Sequence, residues 1–420
     1  MVKHRQRNTA KIKSSLKLST IEGSWWAVMY GALESYFSVF YEYLKFSSYE
    51  ISLLITFPVF VGSVLQVSIK KFYDFIKSRK LLIVILKGIQ CSTLPFIYYT
   101  GISSSNYYLI LFFVCVYYVC AFGIAPPLTS WLGYLVPSRI RGKFFGNKSQ
   151  IIRIFMLLSS LLAGTILHEY ETNLVIGFGI IFSIGIIANL ISAFMLAKKY
   201  EPSHESIDEG KEKFDIKESK FRNLRNFILF DSFSSFSFSM SGPLMMVYWL
   251  RDLNFNYMEI AILINVGLLI SSFSLRYWGV KIDELGTYFA IRWTSLFISV
   301  LPFFWIGLYY MPTKLILPAC ILTQSLALLL FSGRELAVEN RLFEHMKGKS
   351  MIAISSKRVL YKGIAIFAAG LIGGAITEID QSNVLNLFTI NSSIHIVLVV
   401  VSIIRFIIWG KYFSTKKCLI

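Results

Sequence analysis

The chain is poor in the residues that build catalytic and metal centres. Five cysteines, Cys91, Cys115, Cys120, Cys320 and Cys418, show no paired spacing, so neither a disulfide framework nor a thiolate metal site is predicted and they read as free thiols. Cys418 stands third from the end rather than fourth, which excludes a prenylation box. His168 and His395 have no ligand-spaced partners, so no metal site is expected. Neither H-E-x-x-H nor a nucleophile elbow occurs, which speaks against an intramembrane enzyme. Gly348, Lys349 and Ser350 look like the end of a P-loop, yet Phe343 takes the place of its first glycine and no strand precedes it. Nucleotide binding is therefore not predicted, nor is any cofactor.

Acids are scarce too, 24 against 42 Lys and Arg, while apolar residues abound: 55% of the 420 are hydrophobic and the mean hydropathy is +0.60. Such a chain belongs in a bilayer. Crossing roughly 30 Å of hydrocarbon takes about 20 apolar residues. Twelve such windows are read, at 21–43, 51–69, 81–100, 107–127, 149–167, 173–196, 226–250, 258–277, 288–310, 315–336, 354–376 and 387–409. The basic stretch before the first window lacks an apolar core, so it is no cleavable signal. Loops after even-numbered windows carry the cations, whereas those after odd-numbered ones hold only Lys45, Arg251 and Lys314. The positive-inside rule then puts both termini in the cytoplasm, and the net charge of +18 lines one face of a plasma membrane rather than a nucleic-acid site.

The domain plan follows: a tail over 1–20, a six-helix bundle over 21–197, a charged linker over 198–225 that reads as a flexible tether, a second bundle over 226–410 and a tail over 411–420. An offset of 209 residues lays Asp74 under Asp283 and Glu22 under Asp231, and basic loops with Arg139 and Arg141, then Lys347 and Lys349, recur at matching places. Around Asp283 the run from Gly279 to Gly286 reads as a polar turn of the form G-x-x-x-D-x-x-G; its earlier counterpart has Lys70 and Lys77 in place of glycine. This pattern resembles the signature loop of the major facilitator superfamily. The resemblance implies an all-α membrane protein with twelve transmembrane helices in two pseudo-symmetric six-helix bundles, and a central cavity lined mainly by spans one, four, seven and ten. The R-x-x-Q-G arginine and the Gly-Pro pair of the drug antiporters are missing from the fourth and fifth spans.

Ionised groups at membrane depth cost roughly 2.5–3.5 kcal/mol each, so those present point to function. Glu34 lies deep in the first span, and steps of three and four place Tyr30, Gly31, Ser38 and Tyr41 beside it, with Gly31 as a gap for backbone to approach a ligand. The plain alternative is a glutamic acid bonded to a neighbouring helix. Tyr117 and Trp131 on the fourth span, Ser235 on the seventh, Asn265, Gln324 and Lys362 complete the candidate cavity; Lys87 or Lys362 would balance Glu34 or a substrate carboxylate. Pro126, Pro127 and Pro243 mark bendable helices. Arg334, with Glu335, is either a latch between the halves or an interfacial charge that snorkels, and snorkelling is the expectation for Arg405. A cytoplasmic gate is expected from Asp74, Asp283, Gly279, Gly286, Arg139, Arg141, Arg334, Glu335, Lys347 and Lys349. The partners are the bilayer and a small solute, with or without a proton, for a monomeric transporter working by alternating access. A transporter-like receptor or scaffold that moves nothing is the alternative.

Overall fold

The computed structural model describes residues 2–136, 141–201, 222–346, 351–378 and 392–413, and all regular structure among them is helical. In chain order the helices are α1 (Val2–Ala32), α2 (Phe37–Tyr43), α3 (Ser48–Gln66), α4 (Ile69–Ile76), α5 (Arg79–Ser104), α6 (Tyr107–Leu135), α7 (Arg141–Glu169), α8 (Leu174–Lys198), α9 (Arg222–Val247), α10 (Tyr257–Tyr309), α11 (Thr313–Met346), α12 (Met351–Thr377) and α13 (Ser393–Phe413). Among the described residues nine helices are long and apolar enough to cross a membrane. The first and seventh predicted spans fall on α1–α2 and α9, outside those nine. The eighth and ninth share α10, whose 53 residues would reach about 80 Å at the rise of an α-helix and therefore contain two crossings of a ~30 Å core.

Large apolar side chains such as Tyr99, Tyr108, Phe273 and Leu322 lie exposed, an arrangement that only a lipid solvent rewards. Helix starts carry their own capping residues. Asn106 caps α6 by accepting from Tyr108 N and Leu109 N, and Asn256 with Glu259 forms a capping box on α10. Ser78 caps α5 by accepting from Leu81 N.

The predicted turn at Gly279–Gly286 is corrected by the structure. Residues 279–285 continue the helix, and the chain breaks only at Gly286, where φ is +85° and ψ 160°. Gly279 is helical, so it makes no tight turn. At the same offset of 209 residues, Lys77 closes α4 in the left-handed region with φ 58°. A non-glycine residue there is strained by about 1–2 kcal/mol, which explains the preference for glycine at the equivalent place. Asp74 and Asp283 each stand three residues before these breaks, on helical backbone.

Two compact units result, one of Met1–Phe40 with Val61–Ile207, the other of Tyr41–Phe60 with Asp208–Ile420. In the first, α1 packs on α7 and α8, and α5 on α6 and α8. In the second, α10 packs on α11 and α13, and α9 on α12 and α13. The second unit thus includes a segment, 41–60, that the sequence places in the N-terminal half. Ser52 Oγ donates to Gly370 O at 3.0 Å, Phe60 stacks on Phe367 with Phe57 tilted against the same ring, and Arg251 donates to Phe46 O at 2.6 Å.

Candidate functional site

In the first unit the site grows from a broken helix. Regular helix ends at Ala32; Leu33 leaves helical geometry at φ −121° and ψ −61°, and Glu34–Tyr36 forms a single tight turn before α2. Ser35 Oγ caps Gly31 O at 2.7 Å, and Tyr36 Oη donates to Ser160 O at 2.8 Å, so the break is tied to α7. Gly31 permits this: a Cβ there would collide with Met156 O and Ser159 Oγ. The gap that the sequence assigned to a ligand is filled by α7 backbone. The stripe also presumes an unbroken helix, so Ser38 and Tyr41 do not continue the register of Tyr30 and Glu34; Ser38 is half-buried and Tyr41 buried in the second unit.

Glu34 itself is half-buried, and Tyr117 Oη donates to its Oε2 at 2.6 Å. Tyr118 also hydrogen-bonds to it, and Tyr30 and Lys87 lie close enough to feel its charge. Lys87 is buried, donates to Gln90 Oε1 at 3.2 Å, and shares its field with Glu22 as well as Glu34. Two acids and a lysine of the first unit are thereby coupled. A carboxylate held by tyrosine hydroxyls beside one ammonium is suited to exchanging a proton or accepting a hydroxyl donor.

In the same unit Glu22 forms an ion pair with Lys199 at 3.4 Å, both buried, with Lys148 close and donating to Ser19 Oγ at 3.0 Å. Lys199 lies within the stretch expected to be a flexible tether. Burial pushes its ammonium down to about 8, against the pull of Glu22. Glu201 accepts from Ser78 Oγ, Arg79 N and Lys80 N, a carboxylate on the positive end of α5. The tether is thus docked through Glu201; residues 202–221 lie outside the described ones. Trp131 is fully buried against Leu196 and donates to Tyr200 O at 3.1 Å, which makes it core rather than cavity lining.

In the second unit the equivalent acid, Asp231, is 1% exposed and gathers three cations: Arg358 at 2.7 Å, Lys362 at 3.5 Å and Arg334 at 4.0 Å. Arg358 also holds Glu339 at 2.8 Å. Within the second unit Lys362 therefore answers Asp231. Arg334 does not snorkel; it is buried over the faces of Phe230 and Phe238. Glu335 beside it is exposed. Arg405 does not snorkel either: it is buried and donates to Ile298 O and Ser237 O. Ser235 bonds its own helix at Asp231 O, Asn265 bonds Ala261 O, and Gln324 is half-buried on α11. The clusters around Glu22 and Asp231 were marked in the sequence only by their common offset.

At one end of the second unit lies a polar cavity of about 410 Å³, lined by Ser47, Ser48, Arg251, Asp252, Glu378 and Ser392 among others. Arg251 pairs with Glu42 at 2.5 Å, Ser47 Oγ donates to Glu378 at 3.0 Å, and Ser392 Oγ donates to Asp252 at 2.5 Å. Burial holds the Asp252 carboxyl above its ordinary range, opposed by the Ser392 hydroxyl and the Arg251 charge. Of the predicted gate, Arg139, Lys347 and Lys349 lie outside the described residues; Arg141 begins α7, and Asp283 is exposed.

The sequence model of the Major Facilitator Superfamily matches residues 25–338. Comparison with curated protein sequences gives no match. Among solved structures, a point-mutant form of the nucleoside transporter NupG is similar at 13% identity and a TM-score of 0.71, covering 97% of this chain and 100% of its own. A D-xylose-proton symporter follows at 13% identity and TM-score 0.70, covering 94% and 97%. A bacterial homologue of the iron transporter ferroportin, in an inward-facing state, has 11% identity and TM-score 0.69, covering 97% and 99%.

Proposed function

The chain belongs to the Major Facilitator Superfamily, and from that membership we propose that it carries a small hydroxylated solute across the membrane by alternating access, with Glu34 as the proton-coupling or substrate carboxylate. One observation carries the reading: Glu34 stands at a break in the first span, bonded by Tyr117 at 2.6 Å and within the field of Lys87. An ionisable group with such partners inside a membrane helix is expensive unless it is used. The hydroxyls of Tyr30, Tyr117 and Tyr118 suit a solute that offers hydroxyl groups, and two of the structural neighbours are named for a nucleoside and for D-xylose.

With both termini cytoplasmic, as the basic loops favour, the Glu42–Arg251 and Ser47–Glu378 contacts belong to the outer side. Opening that side then means lifting segment 41–60 off α12 and the end of α9. Proteoliposomes given a panel of nucleosides and sugars under an imposed proton gradient test the reading. Wild type accumulates a solute, while Glu34→Gln binds and exchanges it without gradient-driven accumulation, because glutamine keeps the shape and cannot titrate. Accumulation by Glu34→Gln at the wild-type rate and pH dependence removes Glu34 from this role.

A further inference from the structure

Arg334 and Arg405 bring more positive charge into the second unit than its acids answer. Asp231 is already held at 2.7 Å by Arg358, and Arg334 reaches it only at 4.0 Å. Arg405 has no salt bridge among the described residues; its Nη1 and Nη2 donate to the carbonyls of Ile298 and Ser237 at 3.2 and 3.4 Å. The charge of Arg334 acts on it and repels it. Phe238 lies between the two, its ring centre 4.7 Å from one guanidinium carbon and 5.0 Å from the other. An aromatic face eases such charges but offers N–H groups no lone pair.

Three buried polar atoms here have no hydrogen-bond partner among the described residues: Arg334 Nη2, Arg405 Nε and Ser295 Oγ. Both arginines are more than nine-tenths buried, at 6% and 9% exposure. They border a cavity of about 20 Å³ together with Ser234, Ser237, Ser295 and Trp409. Two guanidinium N–H groups and a hydroxyl that is free to turn form a set of donors without an acceptor. Their complement is an acceptor that carries negative charge, since Arg334 holds Asp231 only at 4.0 Å, Arg405 has no counter-ion among the described residues, and an unanswered buried cation is among the costliest groups in an interior. The space is small: one water-sized particle needs roughly 10–15 Å³, so about 20 Å³ suits a single monatomic ion.

We propose that Arg334, Arg405 and Ser295 form a halide site, occupied by chloride, that neutralises the cationic core between α9, α10, α11 and α13. A water molecule would satisfy the same hydrogen bonds but leave the charge, and it predicts no dependence on the salt used.

The test uses the purified full-length protein in detergent, with sodium chloride exchanged for sodium gluconate at constant ionic strength. Chloride should raise Tm saturably, by roughly 2–4 °C, and bromide should substitute for it. Ser295→Ala, which removes one donor and little volume, should shift the chloride midpoint upward roughly tenfold. Crystals soaked in bromide should give an anomalous peak between Arg334 Nη2 and Arg405 Nε. Equal Tm in the two salts, an unchanged midpoint in Ser295→Ala, or water density without anomalous signal overturns the proposal.

Discussion

At the scale of single residues, Asp231 is the hinge of the second unit's charge balance. It is the shared anion for Arg334, Arg358 and Lys362, so neutralising it leaves three cations facing one another in a buried site. Removing one partner of a buried ion pair costs about 3–5 kcal/mol, mostly through the charge left unanswered. Asp231→Asn should therefore lower Tm sharply, and adding Arg358→Gln should recover part of the loss. Glu339 bonds the same arginine but is 43% exposed, so Glu339→Gln should cost less than about 1 kcal/mol. Thermal unfolding of the single and double variants checks the ordering; equal losses for Asp231→Asn and Glu339→Gln would contradict the buried cluster.

At the scale of elements, the first unit depends on Gly31 at the contact of α1 with α7, and the second on Gly370 where α3 meets α12. A Cβ on Gly370 would collide with Thr56, and Ser52 Oγ bonds the Gly370 carbonyl at 3.0 Å. Overpacking such a contact costs about 1–3 kcal/mol. Because segment 41–60 is the piece proposed to lift when the outer side opens, Gly370→Val should favour the lifted state roughly 5- to 150-fold. A cysteine placed at Ser47, in a background with the native cysteines replaced, should then react faster with an impermeant thiol reagent. Labelling at the unaltered rate would separate this contact from the transport cycle.

At the scale of the whole molecule, the same docking should respond to pH through Asp252. Its carboxyl is held above the ordinary range chiefly by burial, so the docked arrangement prefers the protonated form. A raised carboxyl contributes stability that is fully present below the ordinary aspartate value and is lost as pH rises through the raised one. Acid on the outer side should therefore favour closure, and a rise in pH through the raised value should weaken it. The thiol-labelling rate at Ser47 should rise with pH in that window, and Asp252→Asn, which never ionises, should flatten the profile at its acidic limit. A profile identical in the variant would exclude Asp252 as the responding group.

Membrane class, family and the internal repeat were legible in the sequence because each is a one-dimensional sum: hydropathy over about 20 residues, cations per loop, acids at a fixed offset. Glu34 was visible as an acid at membrane depth for the same reason, since charge within an apolar run stands out, whereas Glu22 and Asp231 were marked by their common offset. What each one touches was not. Lys199 meets Glu22 across 177 positions and Arg358 meets Asp231 across 127, and nothing local to any of them says which helices pack together. The break at Leu33 and the helix through residues 279–285 were hidden likewise, because propensity is a weak local preference that α7 packing on Gly31 and the free turn of Gly286 override. Tertiary structure alone decided that Arg334 and Arg405 lie inside: a long side chain beside an interface can reach water or turn inward, and only the aromatic faces and carbonyls opposite it settle the direction.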